Sequence, residues 1–504
     1  MSPTSIALNR FGLGARPDQP VPANPKAWLL DQFARFEVKP AAIATVPGRA
    51  EVASQLAEYL VRLRPFLRQQ AQAGMPRRPG APYRPAPPMA ERPGMAAAQA
   101  DGEKPGEMPD PLRDARRFVA VQGRDNYVEQ VGARATTALL TDTPFVERLV
   151  HFWANHFAVS ADKLTVVGLS GLLEFEAIRP NVLGKFGDML NAVERHPAML
   201  LYLDQAGSIG PDSKLASRAA RFAPNRKFGL NENLAREVLE LHTLGVRTGY
   251  SQADVTEFAR ALTGWTVAGL GNGPLARITG TDGTPGDFVF ADAIHQPGER
   301  MIMGKRYDQR GLAQGQAVLN DLAVHPATAT HIATKLARHF AGDTPPPAMV
   351  QRLEAAFLRS GGDLPTVYRA LVDSREAWVE QPVKFRSPWE WGLAAVRATG
   401  ARQVPAANVA GLMTQLGQAV WRPGSPAGWD DTSGSWAGPD AVMRRVEAAQ
   451  RMAGRVGELV DARSLAPKLF PDAVSAQTAR VLASADSGEQ ALALLFVAPE
   501  MMRR

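Results

Sequence analysis

The chain of 504 residues contains no cysteine. Disulfide bonds, thiolate nucleophiles and metal sites with cysteine ligands are therefore excluded, while the redox compartment stays open. No stretch reaches the roughly 20 consecutive apolar residues that cross a bilayer, so we expect no membrane span. The residues after Met1 lack the basic segment and the apolar segment of a secretory signal. On that basis we expect a cytoplasmic protein.

Several motifs that mark common enzyme classes are also missing. No Gly-x-x-x-x-Gly-Lys-Ser/Thr phosphate loop and no strand-anchored Gly-x-Gly-x-x-Gly is present. The sequence also has no Gly-x-Ser-x-Gly and no His-Glu-x-x-His. The formal net charge is +7, but the arginines that contribute to it are scattered and form no compact basic run. We therefore expect no nucleic-acid partner.

The apolar residues, 45% of the chain, recur mostly at helical spacing. This pattern predicts a mainly α fold, in which many helices form an orthogonal or bundle-like domain. Between about residues 266 and 310 glycine is dense and the helical period fails. There the apolar triplets at 288–290 and 301–303 predict one small β-hairpin insertion, with residues 295–298 as its turn.

Composition divides the chain into parts. Residues 68–111 are rich in proline, alanine and arginine and contain almost no branched aliphatic residues. Such a segment cannot bury enough apolar surface to offset the entropy lost on ordering, so we predict a disordered insertion. The other predicted parts are an N-terminal helical segment that packs on the main domain (1–67), the main helical domain (112–400), and a C-terminal helical segment with a Trp/Gly-rich loop (401–504).

The stretch from Asn231 to Gly245 predicts one complete helix. Asn231 can cap its start and Gly245 can end it. Its apolar residues share one face, whereas Asn233, Glu237 and Glu240 cluster on the opposite side. A face exposed to solvent is the more common position for such carboxylates. A catalytic or metal-binding role for these side chains is the alternative, because a histidine-bearing helix is predicted elsewhere in the main domain.

That second helix, at residues 144–157, carries His151 and His156. If the two helices pack together, these histidines would face Glu237 and Glu240 across the contact. Paired carboxylates and histidines from facing helices can bind a divalent metal or can perform acid–base catalysis. Because no thiolate is available, such a site would suit zinc, manganese or iron.

An ion pair offers a simpler explanation of the same glutamates. A buried carboxylate could be neutralised by Arg236 or Arg260. His242 lies about 160° around an ideal helix from Glu240, so the two could not bind one ion without distortion. The predicted site residues are, as catalytic groups, Glu237, Glu240, His156 and Asn233; as metal candidates, His151, His156, Glu237 and Glu240; and as further candidates, His242, Trp265 and His295.

The sequence resembles a bacterial family known as domain of unknown function 1800. The motifs that carry the resemblance lie, in order, at residues 8–12, 151–157, 231–237, 241–245, 259–265, 295–298, 304–305, 331–335, 386–389 and 428–429. The resemblance spans nearly the whole chain and implies a largely helical fold without a settled activity. It also implies a sulfatase-like partner encoded nearby and, because many members carry an export signal, a periplasmic location as the alternative. The insertion at 68–111 departs from the family's shared pattern.

Three functions therefore remain open. The first is an enzyme, for example a metal-assisted hydrolase, with a Glu/His pocket between the helices at 144–157 and 231–244. The second is a non-catalytic partner or assembly protein for the sulfatase-like neighbour, docked through the aromatic loop at 421–436. The third is a polymer-binding module that uses the tryptophans of that loop as stacking platforms.

Overall fold

The structure is a computed structural model that describes the backbone of residues 1–72, 111–222, 229–270, 283–457 and 459–504. Side chains are described in the same ranges except at 61–72, 111–119 and 222. The predicted insertion at 68–111 lies outside the described residues, apart from residues 68–72 and Pro111, which belong to helices.

Helices dominate the described chain, so the predicted mainly α fold is confirmed. The first half contains α1 (Pro3–Ile6), α2 (Pro25–Arg35), α3 (Ala41–Ala44), α4 (Arg49–Gln72), α5 (Pro111–Leu140), α6 (Pro144–His156), α7 (Ser170–Leu172), α8 (Phe186–Glu194), α9 (Pro197–Tyr202), α10 (Lys214–Phe222), α11 (Asn233–Glu237) and α12 (Gln252–Leu262). The second half contains α13 (Leu312–Ala323), α14 (Pro326–Ala341), α15 (Pro347–Ser360), α16 (Leu364–Asp373), α17 (Pro388–Ala398), α18 (Ala406–Gln415), α19 (Pro439–Val456), α20 (Ala462–Leu469), α21 (Ala476–Ala483), α22 (Gly488–Val497) and α23 (Pro499–Met502).

Four short strands form two antiparallel pairs in the described chain. They are β1 (Trp265–Val267), β2 (Phe288–Phe290), β3 (Arg300–Ile302) and β4 (Lys305–Tyr307). A small hairpin is present as predicted, but the predicted partners are wrong: β2 pairs with β1, and β3 pairs with β4. The reason is the turn between β3 and β4. Met303 and Gly304 both have positive φ, at 49° and 77°, and this two-residue turn reverses the chain at once.

Three helices continue into a wider, π-helical turn, at Ala7–Phe11, Leu173–Ile178 and Val238–His242. π-helical turns are rare in proteins, but those that occur are often found at functional sites. The predicted helix at 231–245 contains one of them. Its predicted start is wrong by two residues: the helix begins at Asn233 after Glu232, and Asn231 Oδ1 accepts a hydrogen bond from the Asn233 amide at 2.9 Å just before it. Beyond Glu237 the turn widens, so the angular spacing of an ideal α-helix no longer places the side chains.

The main core is one continuous cluster of buried side chains that runs from Ile6 to Met502, and Ile209, Ala291 and Ile294 form a second, small cluster. The two ends of the chain meet the same region. Arg10 donates hydrogen bonds to the carbonyls of Ala377 and Val379 at 2.8 and 2.9 Å, and the backbone of Phe385 pairs with that of Arg503. None of the helices in the described ranges is long and apolar enough to cross a membrane.

Candidate functional site

A pocket with about 1050 Å³ of open space lies between α6, α14, the start of α17 and the loop at 418–436. The start of α17 is fixed by a capping box, in which Ser387 and Glu390 satisfy each other's backbone amides. The same cap directs Glu390 toward the pocket wall. Segments far apart in the sequence therefore build one cavity.

On α6, a stripe of polar residues at helical spacing begins with a buried ion pair. Arg179 Nη1 lies 2.8 Å from both oxygens of Glu147, and both side chains are about 1% exposed. Burial alone would raise the pKa of Glu147, but the charges and hydrogen bonds of Arg179 and His151 together outweigh it and lower that pKa to about 2. One turn later, His151 Nδ1 accepts a hydrogen bond from Trp389 Nε1 at 3.2 Å. His151 thus positions Trp389 in the pocket wall.

The next residue of that stripe, Asn155, holds the loop at 418–436. Its side-chain amide donates to the Trp429 carbonyl at 2.8 Å and accepts from the Trp429 amide at 2.7 Å. Gly428 has a φ of 81°, and a Cβ there would lie 2.2 Å from the Asn155 carbonyl oxygen. Only glycine permits this close approach.

On α14, Lys335 and His339 face the pocket one turn apart. Burial lowers the pKa of Lys335 to about 8, although the charge of Asp431 acts in the opposite direction. Burial also lowers the pKa of His339 to about 4, so this ring is neutral near pH 7. His339 Nδ1 donates to Asp431 Oδ2 at 3.1 Å, and Arg148 Nη1 lies 3.5 Å from His339 Nε2.

Two carboxylates of the pocket are held by basic side chains. Asp431 Oδ1 lies 2.9 Å from Lys384 Nζ. Glu390 binds Arg148 and also lies 3.0 Å from Arg504 Nη2. Burial alone would raise both pKa values, but these cations and His339 hold them well below the usual range. Both carboxylates are therefore ionised and already neutralised.

Lys335 differs from the other basic side chains of the pocket. Of the four that line it in the described part of the chain, three have carboxylate partners: Arg134 with Glu174, Arg148 with Glu390, and Lys384 with Asp431. For Lys335, no ion pair or hydrogen bond is present among the described residues. Its amine is thus the one basic group of this set that is available to a ligand.

Aromatic side chains form much of the remaining wall: Phe152, Phe385, Trp389, Trp421, Trp429 and Trp436. Trp421 and Trp436 are 8% and 9% exposed, and their Nε1 atoms donate to Glu174 and to the Asp430 carbonyl, both at 2.8 Å. The loop tryptophans therefore face inward and line the pocket. Stacking against ring-shaped ligands is a common role of such walls.

A family model described as "Protein of unknown function (DUF1800)" matches residues 6–503 of the chain. The chain belongs to the DUF1800 family. No curated protein and no solved structure matches it. The description of the family names no activity.

The predicted site residues of this DUF1800 chain separate into two groups. His151 and His156 line the pocket. Asn233, Glu237 and Glu240 lie elsewhere: Asn233 is exposed, and Glu240 lies 3.8 Å from Arg236 on its own helix. Burial raises the pKa of the half-buried Glu237, and the charge of His242 partly offsets that effect. That Glu237 and Glu240 form a catalytic site stays a prediction.

His156 contacts His242 beneath the pocket. His156 Nε2 donates to the His242 carbonyl at 3.1 Å, and His242 Nδ1 donates to the buried carboxylate of Glu194 at 2.7 Å. The His156 ring also lies 6.0 Å from that of His331. Within the described ranges, no three histidine or acidic side chains are placed to bind a metal ion.

The two remaining candidates, Trp265 and His295, lie outside the pocket lining. Trp265 is fully buried in β1, and its ring lies 5.2 Å from that of Phe288. His295 Nδ1 donates to the Thr263 carbonyl at 2.8 Å, which fixes its loop to the end of α12. Burial lowers the pKa of His295. In the structure both side chains have packing contacts that account for their burial.

The predicted site residues do not include five side chains of the pocket: Lys335, His339, Lys384, Glu390 and Asp431. One signal was available, because residues 331, 335 and 339 recur at helical spacing and two of them are histidines. The acidic partners gave no such signal. Glu390 follows a proline in a helical cap and Asp431 lies in an irregular loop, where no period reveals which side chains turn inward.

Proposed function

We propose that this DUF1800 chain is an enzyme whose active site is the pocket between α6 and α14, with Lys335 as its acid–base residue. The observation that supports this is the Lys335 amine itself. It faces the cavity with a pKa lowered to about 8, and the described residues give it no ion-pair partner. A positioned group whose pKa lies near the working pH is what general acid–base catalysis requires.

The chemistry of lysine fits that role. A partly buried ammonium without a counter-ion is costly, and proteins retain such groups mainly where the free amine is used. With a pKa of about 8, roughly a tenth of the amine is unprotonated at pH 7. Lys335 would accept a proton from a bound substrate and return it later in the reaction. Asp431, held by Lys384, would stabilise the ammonium form in between.

The walls indicate the class of substrate. Indole and phenyl rings favour a ring-shaped ligand, and Lys335 favours one with an anionic or strongly polar oxygen nearby. A ring-bearing acid or ester would satisfy both. Its ring would lie against the tryptophans, and its polar group would lie against the amine.

The residues of the pocket do not fit a divalent metal. Of the three described carboxylates that line the pocket, Glu390 and Asp431 are already neutralised by basic side chains. The third, Asp430, is exposed and accepts hydrogen bonds from Thr432 and Ser435. A metal ion would have to compete with those cations and would be repelled by them. The proposal therefore uses acid–base chemistry from the chain's own side chains.

The other two hypotheses receive less support. A module that binds polymers on its surface needs exposed aromatic platforms, whereas Trp421 and Trp436 are buried in the pocket wall. A role as the partner of a sulfatase-like neighbour stays a prediction, and co-purification of the two proteins would test it.

The test compares Lys335→Met with Lys468→Met, which removes an exposed lysine on α20. The protein and both variants are assayed against a panel of chromogenic aryl esters, glycosides, phosphates and sulfates. We expect turnover of one class by the wild type and by Lys468→Met. Lys335→Met should lose at least about a hundredfold in kcat, the usual contribution of acid–base catalysis.

A second measurement needs no substrate. Limiting acylation with acetic anhydride across pH 6–11, read by peptide mass spectrometry, gives the titration of each lysine. We expect half-maximal reactivity of Lys335 near pH 8. Turnover that survives Lys335→Met, or a Lys335 amine that titrates like an exposed lysine, would contradict the proposal.

A further inference from the structure

A second cavity adjoins the pocket through Trp389, whose ring lines both. It has about 1330 Å³ of open space and runs between α18 and α19, over buried side chains of α5 and α17. We call it the apolar groove. Its main apolar side chains are Leu139, Trp389, Leu393, Val396, Leu412, Met413, Met452 and Val456.

The packing beneath the groove is close, so its shape is fixed. A Cβ at Gly392 would lie 2.8 Å from the Met413 methyl carbon, which shows how tightly α17 and α18 approach there. Leu393 and Met413 are 6% and 2% exposed. Methionine side chains such as Met452 adapt to ligands of varied shape. A firm floor with an adaptable wall is typical of sites for flexible apolar chains.

Charge is confined to one wall of the groove. The described residues that line it include Arg451 and Arg455 and no aspartate or glutamate. Both arginines lie on α19, one helical turn apart, so they occupy the same face. Arg451 Nη2 donates to Gln415 Oε1 on α18 at 2.7 Å, across the groove. Arg455 is exposed, and the described side chains give it neither an ion pair nor a hydrogen bond.

We propose that the groove binds an anionic amphiphile: a single acyl chain that ends in a carboxylate. The chain would lie along the apolar floor. The carboxylate would bind Arg451 and Arg455 together, since two adjacent guanidinium groups match the two oxygens of one carboxylate. An acidic helix of a partner protein fits less well, because its charges would be spread along several turns while both cations sit on one.

The experiment is a fluorescence titration of the full chain with cis-parinaric acid, a fatty acid whose polyene chain accepts excitation energy from tryptophan. Trp389 lies in the groove wall and is one of the nine tryptophans that can serve as donors. We expect saturable energy transfer. The methyl ester of the same probe, which lacks the charge, should bind at least about tenfold more weakly, the usual effect of losing charge-assisted hydrogen bonds.

Matched variants separate the groove from general surface charge. The double variant Arg451→Gln/Arg455→Gln should bind the acid about as weakly as the ester. Arg359→Gln/Arg480→Gln removes two exposed arginines of α15 and α21 and should bind like the wild type. Circular dichroism checks that all three proteins are folded alike, as expected for exposed positions.

Displacement of the probe by unlabelled fatty acids of increasing length tests the apolar floor. Each added methylene should strengthen binding about fourfold until the groove is filled. Four results would overturn the proposal: no saturation, equal binding of acid and ester, a double variant that binds like the wild type, or no dependence on chain length. None of these measurements depends on Lys335, so the proposed enzyme activity can fail independently.

Discussion

The pocket and the helix at 231–245 contain the same types of groups, yet the fold uses them differently. In the pocket, Glu390 and Asp431 meet basic side chains contributed by other elements, and every partner is largely buried. On the helix at 231–245, Glu240 interacts with Arg236 one turn away on the same helix. The buried pairs of the pocket join separate elements around a cavity, whereas Glu240 and Arg236 form a local pair at the surface of one helix. His242 of the same helix pairs with Glu194 in the core.

The largest effect should appear at Glu147, which lies on α6 one turn before His151 of the pocket. Glu147→Gln leaves Arg179 buried without its counter-charge, so we expect a loss of about 3–5 kcal/mol in the free energy of unfolding. Urea denaturation at pH 7 measures it. A loss below about 1 kcal/mol would mean that the pair is not buried as the structure places it.

The pH dependence of stability should distinguish the pocket next. The pKa of His339 is lowered to about 4, against 6.5 in the unfolded chain, so the unfolded state binds more protons between these values. Stability should therefore fall as pH drops from 6.5 to 4. Relative to His339→Gln, the wild type should lose about 2–3 kcal/mol over that range. If the free energy of unfolding of both proteins changed by the same amount between pH 6.5 and 4, this assignment would be contradicted.

Lys335→Met should stabilise the protein while removing the proposed activity. The lowered pKa means that the folded state disfavours the ammonium form. The free energy of unfolding of the wild type is therefore reduced below pH 8 and rises as pH increases from 8 to 10.5. We expect the variant to be about 3 kcal/mol more stable at pH 7, with the gain vanishing at high pH. A variant less stable than the wild type at pH 7 would indicate a structural role for the amine.

The smallest effect is expected at Glu240. Its side chain is 27% exposed and 3.8 Å from Arg236, so Glu240→Gln should change the free energy of unfolding by less than about 0.5 kcal/mol. It should also leave the acylation profile of Lys335 unchanged. A large loss of stability or a shifted profile would show that the two regions are coupled more strongly than their contacts indicate.

Sequence reasoning identified the helices better than the neighbours of each helix. The amphipathic pattern of α6 correctly marked His151 and His156 as residues of one segment, and both line the pocket. Tertiary packing decides which element lies opposite α6. The amphipathic pattern of α6 carries no information about that neighbour. Asp431 reaches the pocket because Asn155 holds a loop that begins more than 260 residues later in the chain.

Local geometry explains another part of the difference. The predicted face of the helix at 231–245 assumes about 100° per residue, which holds for Asn233–Glu237 but not for the π turn at Val238–His242. His242 consequently pairs with Glu194 in the core. The confirmed parts, the mainly α fold and the family, rest on features repeated over hundreds of residues.

In the described part of the chain, Trp389 lies between the pocket and the apolar groove and lines both. Its Nε1 atom donates a hydrogen bond to His151 Nδ1 in the pocket, and the same residue also lines the apolar groove. A ligand in one cavity that moves the Trp389 side chain changes the free energy with which a second ligand binds in the other cavity. By thermodynamic reciprocity the effect is of equal size in both directions. The indole of Trp389 is thus the group through which two separate ligands would change each other's affinity.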